Sequence, residues 1–306
     1  MTIKRPPPKL YKYCPFGVFA LRALTEAEVF YCEPKNFNDP LDCKPNIEID
    51  VDVGSLEKLC AKFLLQTHSE EAAHEKIQGC RWFAWDEHRE SGKNQEDCYK
   101  KSLACEIKES LDSEWETKGV LCLSETWNSP LMWSHYADQH RGLCIEYDTS
   151  AVQHPTLGPV DYRSQGSIKA SELVEWKLRG SQEAEQRVHT QYFFSKASQW
   201  RYEREWRDIT AKSGAFDKSF PITGVHFGLK CDGSVITSIV RLLKDMRTIA
   251  LYHVDSSNGS FKLERFLSIK KKWKSSKPRH PILRLLMIFL QKTRHNILEK
   301  ASAYFV

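Results

Sequence analysis

The sequence predicts an α+β fold: a mixed central sheet, an inserted helical segment over 55–117, and a C-terminal basic helical tail. Three observations predict it. Short apolar runs bounded by polar and turn residues recur along most of the chain and read as strands. Between 55 and 117 the spacing becomes helical and the charge density rises. From Ser268 onward the composition turns strongly basic. These shifts divide the chain into a single α+β domain over 1–267 and a basic linker with a last helix over 268–306.

The elements follow in order. Leu10 to Tyr13, LYKY, reads as a strand, and apolar residues at 16, 19, 20, 21 and 24 give the next segment a helical spacing. Glu28 to Cys32 is strand-like. Asn38 and Asp39 before Pro40 favour a turn whose side chains bond their own backbone, and Phe37 gives that loop an apolar anchor. Two or three charged helices fill 55–117, and His68, His74 and His88 there have no metal-ligand spacing.

The densest polar and aromatic stretch is Gly119 to Asp148. Val120 to Leu123 is a buried-strand pattern that ends on Ser124, Glu125 and Thr126. Ser129 before Pro130 is a helix start, because a serine oxygen accepts free amides and proline loses no needed bond at the first helical position. The helix is expected from Pro130 to Gln139, with Met132 and Tyr136 on one face and Trp133 and Ala137 on another. Leu143 to Tyr147 is the returning strand. Polar side chains leaving a strand end make this a candidate site, and core packing is the competing reading of Trp133 and Tyr136.

Beyond Asp148, Val160 to Tyr162 is strand-like and a polar helix is expected over 171–197. From Tyr202 alternation suggests a strand with Glu203, Glu205 and Arg207 on one face, since strand side chains repeat every second residue. Such a row suits a polar ligand. A solvated charged face is the other reading. A strand at Val225–Gly228, a helix at Val235–Met246 and strands at Thr248–Val254 and Ser260–Leu267 complete the domain.

The net charge of +5 conceals an asymmetry. The segment from Ser268 carries ten Lys or Arg and one acid, so the rest of the chain is mildly acidic. The tail is therefore a candidate nonspecific contact for nucleic acid. Its apolar run Ile282 to Leu290 is too short to cross a bilayer, which takes roughly 20 residues. It is expected to dock on the body, with a dimer contact or a membrane surface as alternatives. Ten cysteines form no CxxC pair, and MTIKRPPPK lacks the apolar core of a signal peptide, which together point to reduced thiols and a cytoplasmic location. The chain has no GxGxxG, phosphate-binding P-loop, HExxH or GxSxG motif.

Four pieces, LYKY at 10–13, FNDPLDC at 37–43, LSET with SPLMWSHYADQHRGLCIEYD at 123–148, and a lysine followed by W.YEREWR at 196–207, resemble a bacterial family known as domain of unknown function 2971. That family name carries no activity. A more distant resemblance is to ADP-ribosyltransferase folds, which place a polar or aromatic motif on a first strand, a hydroxyl residue at the end of a second, and a Glu-x-Glu on a late strand. Here Lys12 and Tyr13, Ser124, and Glu203-Arg204-Glu205 take those places. Lys12 or Tyr13 stands where those folds carry Arg or His.

This resemblance implies an NAD-dependent transferase that serves as a defence or toxin effector of a bacterium. Glu205 and Glu203 would be catalytic. Lys12, Tyr13, Ser124, Trp133, His135 and Tyr136 would contact NAD, and no metal is implied. Ser124, Trp133, Tyr136 and Glu205 are expected to converge on one pocket. The alternative is a non-enzymatic ligand- or partner-binding module in which the glutamates form an ion-pair row and the basic tail contacts nucleic acid.

Overall fold

A computed structural model describes residues 5–150, 156–163, 166–217, 220–246, 248–257 and 261–267. The chain opens with β1 (Lys9–Cys14), α1 (Val18–Thr25), β2 (Glu28–Tyr31) and β3 (Asn46–Glu48). Three helices follow, α2 (Val53–Leu64), α3 (Glu70–Ser91) and α4 (Gln95–Trp115). Each begins where a side-chain oxygen accepts an otherwise unpaired amide: Asp52 from Ser55, Ser69 from Ala72 and Asn94 from Asp97. Next come β4 (Gly119–Ser124), α5 (Pro130–Tyr136), β5 (Leu143–Asp148), β6 (Gly158–Pro159) and β7 (Ser167–Lys169). The described chain ends with α6 (Ala170–Lys177), α7 (Gln182–Phe193), β8 (Glu205–Thr210), β9 (Gly214–Asp217), β10 (Ile222–Phe227), α8 (Gly233–Leu242), β11 (Ala250–Ser256) and β12 (Leu263–Leu267).

The fold is α+β, and the chain divides into two compact units. Among the described residues the first unit holds 5–6, 29–125 and 156–216, and the second holds those within 7–28, 126–150 and 217–267. In the first unit β8 lies between β4 and β6, antiparallel to both. Its core joins Leu56, Leu59 and Phe63 of α2, Leu103, Ile107 and Trp115 of α4, Val120 of β4, Tyr192 and Phe193 of α7, and Ile209 of β8. The helices over 55–117 thus share one apolar core with the strands.

The second unit carries a five-stranded mixed arrangement in the order β12, β11, β10, β5, β1. Only β10 and β11 run parallel there, and the other neighbours are antiparallel. Buried Glu146 of β5 bonds Lys9, Thr223 and Arg265, so one carboxylate ties β1, β10 and β12 together. Arg265 also donates to His226, whose ring stacks on Trp127 and Tyr252. Burial, reinforced by Arg265, lowers the His226 pKa to about 4, so the ring is neutral and accepts that bond.

Three sequence expectations shift in the structure. The helix from Ser129 begins as expected, with Ser129 accepting from Met132, but it ends at Tyr136 rather than Gln139. Asp138, Gln139 and His140 are all left-handed, which no helix continues through. The helix expected over 171–197 is two helices, parted at Gly180 with φ of 74°. The strand expected from Tyr202 starts at Glu205, because Ser198–Glu203 is a 3₁₀ helix closed by left-handed Arg204. The basic linker from Lys270 and the helix from Pro281 lie outside the described residues. Among the described residues no helix is long and apolar enough to cross a membrane.

The left-handed turn after α5 leaves no room at Gly142. A Cβ there would stand 2.3 Å from the Cys14 carbonyl oxygen and 3.0 Å from Ala137 backbone atoms. Both are main-chain groups held by β1 and by the turn. Gly142→Ala is expected to lower the unfolding free energy by about 1–3 kcal/mol, the usual cost of overpacking. Chemical denaturation of wild type and variant measures it, and equal midpoints would contradict the close approach.

Candidate functional site

The first unit contains a cluster of five charged side chains that exclude nearly all solvent. Asp42, Glu203, Glu205, Lys196 and Arg207 are each less than 9% exposed. Arg207 is the centre. It meets Glu205 through two contacts, Nε to Oε1 at 3.0 Å and Nη2 to Oε2 at 2.9 Å. It meets Asp42 through two more, at 2.9 and 2.6 Å, and donates to the Phe193 carbonyl at 2.8 Å. Paired parallel bonds of this kind match the planar guanidinium to carboxylate geometry.

Lys196 closes the other side. Its ammonium lies 2.5 Å from Glu203, 3.2 Å from Asp42 and 3.3 Å from Glu205. The cation among these three carboxylates is thus supplied by the protein itself. Among the described residues no group of three or more His, Cys, Asp or Glu is arranged to hold a metal ion.

These contacts decide ionisation. Burial alone would raise the Glu205 pKa, but Arg207 and then Lys196 outweigh it and pull the carboxyl down to about 2. Burial would lower the Lys196 pKa, and Glu205 and Asp42 reverse this and hold the ammonium charged. Glu205 is therefore an ionised carboxylate near neutral pH, fixed from both sides.

Local sequence explains the placement. On β8 the two-residue period puts Glu205 and Arg207 on one face, as expected from the sequence. Glu203 reaches the same cluster from the 3₁₀ helix. The reversal at Arg204, φ 47° and ψ 53°, lets both glutamates meet Lys196. A non-glycine residue in this conformation costs about 1 kcal/mol.

A cavity of about 1300 Å³ opens in the same unit, and Glu205 lines it with Tyr162, Trp206, Arg201 and Arg204. Glu203 is not part of the lining. Tyr162 accepts the Glu205 amide through its hydroxyl at 2.9 Å. One wall is α7, which presents Gln182, Glu185, Gln186, His189 and Thr190 at helical spacing while Ala184, Val188 and Tyr192 face the core. Burial lowers the His189 pKa to about 4, so this wall is uncharged at that position.

The other expected site residues fall as follows. Ser124 pairs in register with Glu205, and its buried hydroxyl donates to the Glu203 carbonyl at 2.7 Å. The strand-end serine and the Glu-Arg-Glu segment are therefore brought together in the first unit. Lys12, Tyr13, Trp133, His135 and Tyr136 belong to the second unit. Buried Tyr13 donates to the Thr126 carbonyl at 2.8 Å and packs edge-on against Trp133. Trp133 is fully buried, stacks on His140 and donates to the Trp127 carbonyl. These contacts are those of core residues. Lys12 and Tyr136 are half-buried and His135 is exposed.

Asp42 and Lys196 were not singled out by sequence reasoning, although both lie inside the short pieces that carried the family resemblance. The comparisons agree with that resemblance over part of the chain. The family described as "Protein of unknown function (DUF2971)" matches residues 132–207. The matched segment runs from α5 through Arg207 and includes Lys196, Glu203 and Glu205. No curated protein and no solved structure matches the chain.

Removing the central cation leaves two buried carboxylates short of their main partner. Arg207→Met is expected to cost about 3–5 kcal/mol, as for other buried pairs that lose one member. Urea unfolding measures this, and a loss below about 1 kcal/mol would show that the network does not hold the unit together.

Proposed function

We propose that the first unit cleaves the nicotinamide glycosidic bond of NAD and transfers ADP-ribose, with Glu205 as the catalytic carboxylate. The observation that carries this reading is the register pairing of Ser124 with Glu205 beside a cavity that Glu205 lines. It supports the resemblance to ADP-ribosyltransferase folds, in which a strand-end hydroxyl and a Glu-x-Glu segment act together.

The chemistry suits an ionised, immobile carboxylate. As the ribose C1–nitrogen bond breaks, its electron pair leaves with nicotinamide and positive charge develops on the ribose. A fixed negative group beside that charge stabilises the transition state without reorganising. A water or an acceptor hydroxyl then forms the new bond at C1 and releases its proton to solvent. Glu203 acts through Lys196, setting the position and charge of Glu205.

A second reading has its own observation. Both Glu205 oxygens are already engaged by Arg207 and Lys196, so much of the negative charge is compensated. That favours a binding module, in which the cavity holds a polar ligand and the ion pairs serve the fold.

Nicotinamide release from NAD separates the two. The transferase reading expects release by wild type and a loss of about 10²–10³-fold in Glu205→Gln, the effect of removing one preorganised polar group. Circular dichroism of the variant confirms that the fold is kept. No release by wild type with lysate supplied as acceptor, or equal release by the variant, leaves the binding module.

A further inference from the structure

Two arginines on the cavity are not explained by the network that fixes Glu205. Arg204 closes the 3₁₀ helix in the left-handed conformation, a position that glycine or asparagine fills with least strain. Its side chain does not repay that strain through burial, since it is 58% exposed and its ion partner is Glu125 at 2.6 Å. Arg201, on the 3₁₀ helix that Arg204 closes, is exposed and lines the same cavity. Among the described residues it makes no ion pair, and its charge helps to lower the Asp161 pKa, behind the bonds from Arg163.

Glu125 is held independently. Its other oxygen accepts the Trp206 indole N–H at 2.9 Å. Arg204 can therefore turn from Glu125 to a ligand without leaving that carboxylate unbonded. Arg201 from the 3₁₀ helix and Arg204 from the residue that closes it both line the cavity. Together they offer several N–H donors to one multi-oxygen anion, the geometry for which arginine is suited.

We propose that Arg201 and Arg204 form an anion subsite on the cavity of the first unit, one that takes a phosphate or diphosphate group. Arg204 occupies a strained position because its side chain is needed at the cavity. The subsite does not rest on the transferase reading, and its test involves no turnover.

The test is calorimetric titration of the full chain with inorganic pyrophosphate, with orthophosphate and ADP in parallel. Wild type is expected to bind pyrophosphate. Arg201→Gln and Arg204→Gly are each expected to weaken binding at least about tenfold, in line with loss of a hydrogen bond to a charged group. Arg89→Gln, on the distant-in-sequence helix α3 and absent from the cavity lining, should bind as wild type does. Arg204→Gly should also unfold at the same or a higher denaturant concentration, because glycine relieves the left-handed strain. Equal affinity for orthophosphate assigns a single phosphate, and tighter pyrophosphate or ADP assigns a diphosphate. Absence of pyrophosphate binding by wild type, or unchanged affinity in Arg201→Gln, overturns the proposal. So does a loss confined to Arg204→Gly that comes with earlier unfolding, since Arg204 would then serve stability alone.

Discussion

The buried guanidinium of Arg207 is the constraint on which the first unit depends. It bonds Asp42 from the loop after β2, Glu205 from its own strand, and the carbonyl at the end of α7. Few side chains can join three separate segments with directional bonds, and a lysine at this position could not reproduce the paired geometry. The arrangement is weak evidence for net stability, because desolvating five charges offsets much of their attraction. Its value lies in specificity: with the charges buried, few other packings of these segments leave every one of them paired. The cavity wall inherits that rigidity, since Glu205 belongs to both the network and the lining.

The second unit solves a similar problem with one carboxylate. Glu146 is fully buried and draws in Lys9, Thr223 and Arg265 from three strands. Arg265 then lies over the faces of Trp127 and Tyr252, at 5.1 and 4.4 Å. A cation held between aromatic faces and bonded to a buried carboxylate and a neutral histidine reads as a fastening of β12. In the first unit a charged group of the network, Glu205, also lines a cavity.

Much of the fold was legible because its signals are local. The serine before Pro130 caps α5, and the apolar runs at β1, β4 and β5 are the strands they predicted. The two-residue period from Glu205 to Arg207 placed both on one face. What failed was also local in cause. Left-handed residues at 138–140 and at Arg204, and Gly180 between two polar helices, interrupt patterns whose periodicity continues through them. Of the candidate site, Ser124 and Glu205 are register partners and Glu205 lines the cavity, which Ser124 does not. The role of Asp42 depends on a contact spanning 165 residues, and no periodicity reports a partner that far away. Trp133 drew notice as an aromatic in a polar stretch, yet its burial and its bond to Trp127 follow from the turn geometry that composition does not encode.

Glu205 stands at the wall of a cavity as an ionised carboxylate held by two cations, Arg207 and Lys196. Its titration tests this most directly. Carbon-13 spectra of the side-chain carboxyl in glutamate-labelled protein, assigned by the signal lost in Glu205→Gln, follow its protonation as the pH is lowered. The structure predicts a pKa of about 2. A value at or above the ordinary 4.5 would contradict it, since burial without effective pairing to Arg207 and Lys196 raises a carboxyl rather than lowering it.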